Sequence, residues 1–564
     1  MASLQKKTVR GHTYWQLVES RRVNGKPRPI VLAHLGKADD LLARLQQSPK
    51  PLEAAIRDSA AVAALWQIAQ DLDLAGLIQH HAGKRLQGHP VANYVLLAAL
   101  NRAVRPLSKT RLAGWYRGTI LSRLLPMPPS HLSSQRFWNH LDYLDAQALD
   151  RLEEDLSRRL VDRYGLDLQT LFFDATNFDT FIDSQTRARL PQRGHAKSKR
   201  TDLRVVGLAL MVSADFHFPL FWQVYPGNQP DSVTFSKVLP RLAGRHRQLL
   251  AGVDQHLTLV FDKGNNSQDN LRRLARTPYH VIGSLVPSQH PDLLAIPLRR
   301  FRRLSEQFGR TWVYRTTKEV FGRSWTIVVT RSPSLLRGQL RGIRQHLAKK
   351  LKALAELKEK LAKSQAPGSR GKAYTEASLA QHLQEITRGQ YVRDILQATV
   401  RWRRGRLVLD YGVDQAAFRT LRREVLGKRI LFTDNADWSE EQIVAGYRGQ
   451  HHVERAFRDL KDPELIQFRP LFHWTDSKIR VHAFSCVVAL TLVGLLHRRV
   501  VQAGVEISRS RLLEELKPVR VVTNLYPPSS GNRGRPRTET VLSQRTQLQK
   551  KLCRLLHLEE LLAR

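Results

Sequence analysis

The sequence predicts an α/β protein with a mixed-sheet core, a large α+β insertion inside that core, and an N-terminal β-hairpin followed by a helical region. Three observations support this. Short apolar runs alternate with amphipathic helical segments over residues 166–295. A highly basic stretch of different character, residues 296–435, then interrupts the pattern. Helical patterns resume at Ser439.

The N-terminal 165 residues contain two predicted regions. Residues 1–50 predict a small β unit, because TYWQLVESRRVNGKPRPIVLAHLG holds two strand-like runs around Asn24-Gly25, a favoured hairpin turn. Residues 51–165 carry Leu and Ala at helical spacing with scattered arginines. This second region is either a DNA-binding helical domain or a helical packing domain with solvated arginines.

The core begins at residue 166, and its predicted order is β-β-β-α-β-α-β. The segments are LDLQTLFFDATNF (ending as a strand at Asp174), LRVVGLALMVS, PLFWQVYPGN, SVTFSKVLPRLAGRHRQLL, LTLVFDKGN, SQDNLRRLAR and YHVIGSLV. Three strands in a meander followed by strand–helix alternation are typical of a mixed sheet with helices on its faces.

The remaining segments are an insertion, the end of the core and a tail. In 296–435, apolar residues from Leu336 to Leu361 recur at three- and four-residue steps, which predicts one long helix, followed by a flexible connector at 364–374 and strands. Residues 436–500 complete the core and include an apolar helix near 484–496, too short to span a bilayer. Residues 501–564 are predicted to be a basic C-terminal tail, in which Arg533-Gly534-Arg535-Pro536 is a minor-groove element or an exposed linker.

The charge of the chain narrows the class of partner. It has 564 residues, 91 Lys+Arg against 50 Asp+Glu, and a formal net charge of +41. The electrostatic field of such a charge favours a polyanionic binding partner. Nucleic acid is the leading candidate, and an anionic membrane surface is the second. Two cysteines exclude a disulfide framework and a Cys-rich zinc site. Without an apolar N-terminal signal core, the protein is expected in the reducing cytoplasm, associated with the nucleoid and without a membrane partner.

Two aspartates are candidates for chemistry. Asp174 and Asp262 each follow an apolar strand, and if those strands are neighbours the carboxylates lie side by side and repel each other unless a cation lies between them. Mg²⁺ or Mn²⁺ suits such oxygen ligands, and open α/β sheets bind ligands at strand C-termini. Taken alone, Asp174 could cap a turn and Asp262 could be an Asx-turn residue.

A third acid is expected in YRGQHHVERAFRDLK, residues 447–461. In a single helix, one face carries Tyr447, Gln450, Glu454, Arg458 and Lys461. Glu454 would then approach the two aspartates, Lys461 would contact a phosphate and Tyr447 would stack on a base or sugar. The alternative for Glu454 is an i,i+4 pair with Arg458.

Other polar residues have weaker claims. Asp231 is expected to cap the helix that starts there. His451-His452 lack cysteine partners or a spaced second pair, which argues against zinc. A basic turn before the second strand either contacts DNA or is a solvated loop; it contains His195, Lys197, Lys199 and Arg200.

Together these motifs resemble those of bacterial insertion-sequence transposases of the DDE class, in the branch whose third motif reads Tyr-x2-Arg-x3-Glu-x6-Lys. Tyr447, Glu454 and Lys461 hold those spacings. Gln450 stands where the pattern has Arg, and Arg448 is a possible substitute on a different face. The resemblance covers roughly residues 166–500 and includes FFDATNF, RTDLRVVGLAL, VYPGNQPDS, VFDKGNNSQDN and FRPLFHWTDSKIRVHAFSCVVALTL.

The resemblance implies a ribonuclease-H-like core with an insertion before the glutamate. It implies metal-dependent DNA cleavage at the ends of an insertion sequence and strand transfer into target DNA, with Asp174, Asp262 and Glu454 as catalytic ligands of two Mg²⁺ or Mn²⁺ ions. The implied partner is double-stranded DNA, bound by a homodimer. The candidate DNA contacts are Tyr447, Arg448, Gln450, Arg458, Lys461, Lys197, Lys199 and Arg200.

Two other functions remain open. One is a different nuclease on the same fold, of the resolvase or repair type, which a strand-transfer assay would separate. The other is a catalytically inactive, transposase-derived DNA-binding protein, which metal-dependent nicking would separate.

Overall fold

A computed structural model describes residues 2–23, 26–46, 50–83, 88–183, 185–249, 257–367, 374–469, 471–527 and 535–563. The chain divides into two compact units. Unit 1 comprises Met1–Ala64, Gly114–Pro126 and Arg511–Arg564, and unit 2 comprises Leu65–Ala113 and Met127–Ser510.

Strands occur in both units. They are β1 (Ala2–Val9), β2 (His12–Val23), β3 (Lys26–Gly36), β4 (Glu53–Asp58), β5 (Thr170–Thr180), β6 (Arg204–Ser213), β7 (Pro219–Pro226), β8 (Thr258–Phe261), β9 (His280–Leu285), β10 (Arg302–Arg303), β11 (Trp312–Val320), β12 (Arg323–Arg331), β13 (Leu396–Arg403), β14 (Arg406–Val413), β15 (Lys428–Thr433), β16 (Arg520–Tyr526) and β17 (Arg537–Leu542).

The helices lie between and after these strands. They are α1 (Ala38–Gln46), α2 (Ala60–Asp71), α3 (Leu74–His81), α4 (Val91–Val104), α5 (Leu112–Arg117), α6 (Leu121–Leu124), α7 (Ser134–Leu141), α8 (Ala146–Tyr164), α9 (Asp231–Leu249), α10 (Gln268–Leu274), α11 (Pro291–Leu294), α12 (Pro333–Ser364), α13 (Glu376–Thr387), α14 (Gln415–Glu424), α15 (Glu440–Arg448), α16 (His451–Lys461), α17 (Asp476–Gln502), α18 (Arg509–Leu516), α19 (Gln547–Leu555) and α20 (Leu558–Ala563).

Unit 1 contains two three-stranded antiparallel sheets, β1-β2-β3 and β17-β16-β4. The first has one strand more than the predicted hairpin. The predicted turn at Asn24-Gly25 lies outside the described residues, which place Val23 opposite Lys26. The second sheet corrects the predicted C-terminal tail, because residues of 501–564 form two strands and pair with β4. Of the Arg-Gly-Arg-Pro element, Arg533 and Gly534 lie outside the described residues.

Unit 2 is built on a nine-stranded sheet in the order β10-β11-β12-β15-β9-β8-β5-β6-β7. β5, β8 and β9 are parallel neighbours, and the other pairings are antiparallel. The predicted order β-β-β-α-β-α-β is confirmed as β5-β6-β7-α9-β8-α10-β9. One boundary was wrong: β5 does not end at Asp174 but continues to Thr180, because β6 pairs with it from Leu171 to Thr180.

The insertion is shorter than the predicted 296–435. β10–β12 and β15 belong to the sheet, whereas α12–α14 with β13 and β14 surround a separate core that includes Ile343, Leu354 and Leu409. The predicted long helix is confirmed as α12. Most of the predicted connector, residues 368–373, lies outside the described residues.

The apolar helix predicted near 484–496 is the middle of α17, which is 27 residues long. By length and composition α17 could cross a membrane, but 94% of its most apolar window is buried inside the protein. It packs against α4, α8, α16 and β7. α17 is therefore the central core helix of unit 2.

The predicted single helix over 447–461 is wrong. α15 ends at Arg448, and α16 begins at His451 after a turn at Gly449-Gln450. Gly449 packs directly on β5, where an added Cβ would overlap the ring of Phe172. The turn thus lets the backbone approach the sheet beside the aspartates.

Candidate active site

The two aspartates lie at one level of adjacent parallel strands. In the β5–β8 register, Phe173 is opposite Phe261, so the next residues along the two chains are Asp174 and Asp262. The two strands on which the sequence placed these acids are therefore neighbours, as the predicted carboxylate pair requires. The apolar residues that precede both acids are fully buried, which fixes the position of the pair at the edge of the core.

The Asp174 carboxyl is electrostatically strained. Burial raises its pKa to about 6, and the nearby charges of Asp262 and Asp231 act in the same direction. The Lys197 ammonium and the Ala175 N–H, which donates to Oδ1 at 2.7 Å, oppose that shift. Asp174 is therefore a carboxyl that a bound cation would stabilise in its ionised form. It lies inside β5 and not at a turn, which argues against a turn cap.

The Asp262 carboxylate does not cap the turn that follows it. It precedes a short 3₁₀ turn, Lys263–Asn265, and its side chain makes no capping hydrogen bond there. The Asx-turn alternative therefore lacks its defining contact. The carboxylate is half-buried at the end of an apolar strand.

Glu454 lines the same cavity as both aspartates. The cavity has a volume of about 610 Å³ and lies between β5, β8, α15, α16 and the first turns of α12. Glu454 is exposed on α16, and its described contacts include no ion pair with Arg458. Four basic residues also line this cavity: Lys263, Lys428, Arg429 and Arg448.

Two of the three predicted carboxylates are placed together as ligands of a hard cation, and the third is not. Among the described residues, no three His, Cys, Asp or Glu side chains are arranged to hold a metal ion, so Glu454 does not close on the two aspartates. Mg²⁺ is commonly held by one or two carboxylates, with water and substrate phosphates completing its octahedron. Asp174 and Asp262 supply such a pair, and Glu454 is on the wall of their cavity.

Tyr447 is a nearly buried residue of the cavity wall. It is 7% exposed, its hydroxyl donates to Ser284 Oγ at 2.9 Å, and the Arg429 guanidinium lies 5.1 Å from its ring centroid. Burial also raises the pKa of its hydroxyl. The hydroxyl bond to Ser284 fixes α15 on β9, and the DNA contact at Tyr447 stays a prediction.

The turn at Gly449 changes which neighbours face the cavity. Both Arg448 and Gln450 line it, although one continuous helix would have put them on different faces. Arg448 donates to Thr311 Oγ1 at 2.7 Å and stacks on Phe308, which holds its guanidinium at the cavity wall. A basic group is thus present there even though Gln450 replaces the Arg of the motif.

Lys461 and Lys197 lie beside Asp174 on β5. The Lys461 ammonium donates to Thr176 Oγ1 at 2.7 Å, and burial together with the Lys197 charge lowers its pKa. The Lys197 ammonium donates to the carbonyl of Ala175. Asn177 holds the turn that carries Lys197, since it bonds both the His195 carbonyl and the Lys197 N–H.

The other predicted contacts are scattered. Arg458 is exposed on α16 and does not line the cavity. Lys199 is exposed with a positive φ of 64°, and Arg200 is paired with Asp202. Asp231 begins α9 as expected, and its carboxylate accepts a hydrogen bond from Tyr225 at 3.3 Å.

Several residues of the cavity wall were not predicted, among them three that lie outside the predicted motifs. Arg429 follows an unremarkable Gly-Lys pair, and Gln390-Tyr391 belong to the insertion. No local pattern marks them, because long-range folding brings them to the cavity. His452 hydrogen-bonds to His217 at 2.7 Å, a contact that the sequence separation also concealed.

Comparison with known proteins identifies one segment. Residues 4–61 match the N-terminal domain of the IS1634 family of transposases, which supports a transposase. No curated protein is similar enough in sequence to count as a relative. A cryo-EM structure of the piggyBac transposase synaptic complex with hairpin DNA aligns over 81% of this chain and 76% of that chain, with 11% identity and a TM-score of 0.34, too low to carry an argument.

Proposed function

We propose that this chain is a DDE-type transposase whose ribonuclease-H-like core cleaves DNA at the ends of an insertion sequence and joins those ends to target DNA. The observation that carries the proposal is the Asp174–Asp262 pair, at one level of adjacent parallel strands in a cavity lined with basic side chains. The match of residues 4–61 to a transposase N-terminal domain supports it independently of the core.

In this proposal the acidic side chains bind the metal ions and the basic side chains bind the DNA phosphates. Asp174 and Asp262 would hold Mg²⁺ or Mn²⁺, and Glu454, on the wall of the same cavity, would complete the set when substrate is bound. The ions, two in this proposal, would supply Lewis acidity for an in-line displacement at phosphorus. Lys263, Arg429 and Arg448 face the same space and would neutralise the DNA phosphates.

The partner in this proposal is double-stranded DNA, both as element ends and as target. A net charge of +41 favours such a partner, and affinity should fall steeply with salt. Joining two ends requires both at one place, so a homodimer on DNA is part of the proposal. It acts in the cytoplasm, at the nucleoid.

The test uses Asp262→Asn, which keeps the shape of the side chain and removes its charge. Its matched control is Asp269→Asn on α10, an exposed aspartate paired with Arg273 at 2.8 Å. Both variants and the unmodified chain are incubated with the terminal DNA of the element that encodes it and with Mg²⁺. Loss of a ligand should reduce nicking by more than the roughly 10–100-fold that outer partners of a metal site cost.

We expect the unmodified chain and Asp269→Asn to nick and join DNA, and Asp262→Asn to bind DNA without doing either. Equal cutting by Asp262→Asn would refute the assignment of the site. Cutting without joining would favour a nuclease of the resolvase or repair type. DNA binding with no cutting by any of the three proteins would favour an inactive, transposase-derived DNA-binding protein.

A further inference from the structure

The turn between β13 and β14 carries a dense cluster of exposed arginines. Its sequence is RWRRGR, residues 401–406, and all six residues are exposed. Arg403 is opposite Arg406 in register, and the two residues between them, Arg404 and Gly405, have φ of 49° and 73°. Positive φ at both central positions is typical of a type I′ turn, whose twist matches that of the flanking strands. The cluster is therefore carried by a tight two-residue turn, and we call residues 401–406 the arginine tip.

The hairpin has one apolar and one basic face. Leu396, Leu407 and Leu409 are buried in the insertion core, where β13 and β14 pack on α13 and α12. Side chains alternate along a strand, so the opposite face carries Arg401, Arg403 and Arg406 into solvent. The apolar face thus fixes the hairpin and leaves the basic face open.

Hydrogen bonds near the turn hold the arginine tip in place. Gln365, at the end of α12, bonds Leu407 twice: its Nε2 donates to the carbonyl at 2.9 Å, and its Oε1 accepts from the N–H at 2.8 Å. The indole of Trp402 donates to Glu376 at 3.2 Å although the residue is 61% exposed. A tip that is anchored in this way loses little conformational freedom on binding.

Intramolecular pairing does not account for these arginines. Within the described part of the chain, the ion pair formed by the arginine tip joins Arg403 to Asp410 at 3.9 Å, which is too long for a hydrogen bond. Four guanidinium groups therefore remain close together with little charge compensation. Such a cluster is stabilised by an external polyanion.

We propose that the arginine tip enters the major groove of duplex DNA; the choice of DNA as partner rests on the proposed function. A two-stranded ribbon fits the major groove, which is about 12 Å wide, more readily than the minor groove, which is about 6 Å wide. Arg401, Arg403 and Arg406 bind phosphates at the groove edge or the acceptor edge of guanine, for which the guanidinium geometry is suited.

The experiment measures binding of the full chain to one mixed-sequence duplex without divalent metal, so that no cleavage occurs. The test variant is Arg401→Ala/Arg403→Ala/Arg406→Ala. The matched control is Arg419→Ala/Arg422→Ala/Arg423→Ala on α14, which removes the same charge from exposed positions of the same insertion. Circular dichroism and thermal unfolding establish that both variants are folded.

Loss of three phosphate contacts should lower the slope of log K against log salt by about 2.7, at roughly 0.9 per contact. We expect that change in the test variant and a smaller one in the control. An equal change in both variants would show that only net charge matters, and the proposal would be wrong.

Two further binding measurements identify the groove, one with a modified duplex and one with a ligand that occupies the minor groove. Glucosylated hydroxymethylcytosine fills the major groove, and netropsin fills the minor groove. We expect glucosylation to weaken the unmodified chain more than the test variant, and netropsin to affect both alike. The reverse pattern would overturn the major-groove assignment. Because binding is measured without cleavage, failure of the nicking assay leaves this result intact, and failure here leaves the catalytic proposal intact.

Discussion

Lys109 places an ammonium group in an apolar part of unit 2. It is 8% exposed, and its Nζ lies 5.9 Å from the ring centroids of both Phe137 and Trp138. Burial lowers the pKa of Lys109 to about 7, and the Arg102 charge acts in the same direction. Near neutral pH Lys109 is therefore partly unprotonated, whereas an exposed lysine stays protonated.

The consequence is a stability that rises with pH. Between about pH 7 and 10.5 the unfolded chain holds a proton on Lys109 that the folded chain has released, so the unfolding free energy should increase by up to about 1.4 kcal/mol per pH unit. That stability is complete above pH 10.5 and is lost as the pH falls towards 7. Lys109→Met keeps the volume and should remove this slope. The measurement is urea unfolding at pH 7, 8 and 9, and parallel profiles of the two proteins would contradict the prediction.

At the scale of single residues, the sequence predicts a position in the fold where local pattern determines it, as for the strand that ends just before Asp262. An apolar run ending in a carboxylate marked Asp262, and the structure leaves that carboxylate without a capping role. Tyr447 shows the limit, because its hydroxyl partner Ser284 lies 163 residues away in the chain. Nothing in the sequence around Tyr447 distinguishes a buried phenol from one that faces solvent.

At the level of elements, the approach of α16 to β5 depends on the turn at Gly449. Gly449→Ala would place a methyl group in the ring of Phe172, which is 2% exposed and cannot move aside freely. We expect a loss of about 1–3 kcal/mol in unfolding free energy, together with reduced nicking because α16 carries Glu454. Denaturant unfolding and the nicking assay measure the two effects.

Two further variants make that experiment specific. Phe172→Leu should restore part of the stability of Gly449→Ala, since it removes the clashing ring atoms. Gly338→Ala on α12 meets no atom within 4 Å and should be neutral or stabilise by up to about 1 kcal/mol. If Gly449→Ala behaved like Gly338→Ala, close packing would not be the reason for the glycine.

A buried ion pair joins α8, α9 and β7. Arg245 donates to Glu153 Oε1 at 2.5 Å, both residues are 3% exposed, and the Trp222 N–H donates to Glu153 Oε2 at 3.0 Å. Arg245→Met should destabilise unit 2 by about 3–5 kcal/mol, because it leaves a buried carboxylate without its main partner.

Thermal and denaturant unfolding of Arg245→Met measure that loss. Adding Glu153→Gln should recover a large part of it, since the neutral amide removes the buried charge. The exposed Arg273–Asp269 pair is the comparison, and Arg273→Met should cost about 1 kcal/mol or less. A similar loss of unfolding free energy at the two sites would mean that burial does not determine how much the Arg245–Glu153 pair contributes to stability.

At the scale of the whole molecule, the sequence predicted unit 2 better than unit 1. The order of strands and helices in the first part of the core follows chain order, so periodicity revealed it. Unit 1 combines three separate stretches, and β4 pairs with a strand that begins at Arg520. Pairing across such a separation leaves no local signal in the sequence, which therefore predicts a tail where the structure has strands.

The same sheet predicts that the insertion can be removed. Arg331 of β12 is opposite Lys428 of β15, and the Ser332 N–H donates to the Gly427 carbonyl at 2.9 Å, so the ends of the segment 333–426 meet. Replacing that segment with Asn-Gly would convert β12 and β15 into a two-residue hairpin. Since the insertion has its own apolar core, the nine-stranded sheet should remain folded.

We expect the shortened chain to unfold cooperatively and to lose the part of its duplex affinity that the arginine tip provides. Circular dichroism, thermal unfolding and salt-dependent DNA binding measure these properties. The control is the same shortened chain with Phe432→Asp, which puts a charge at a fully buried position of β15 and should prevent the sheet from folding. If both shortened chains aggregated alike, the insertion would be part of the core of unit 2. If only the control failed, the insertion is a separate module on an intact sheet, and its arginine tip can be altered without disturbing the acids on β5 and β8.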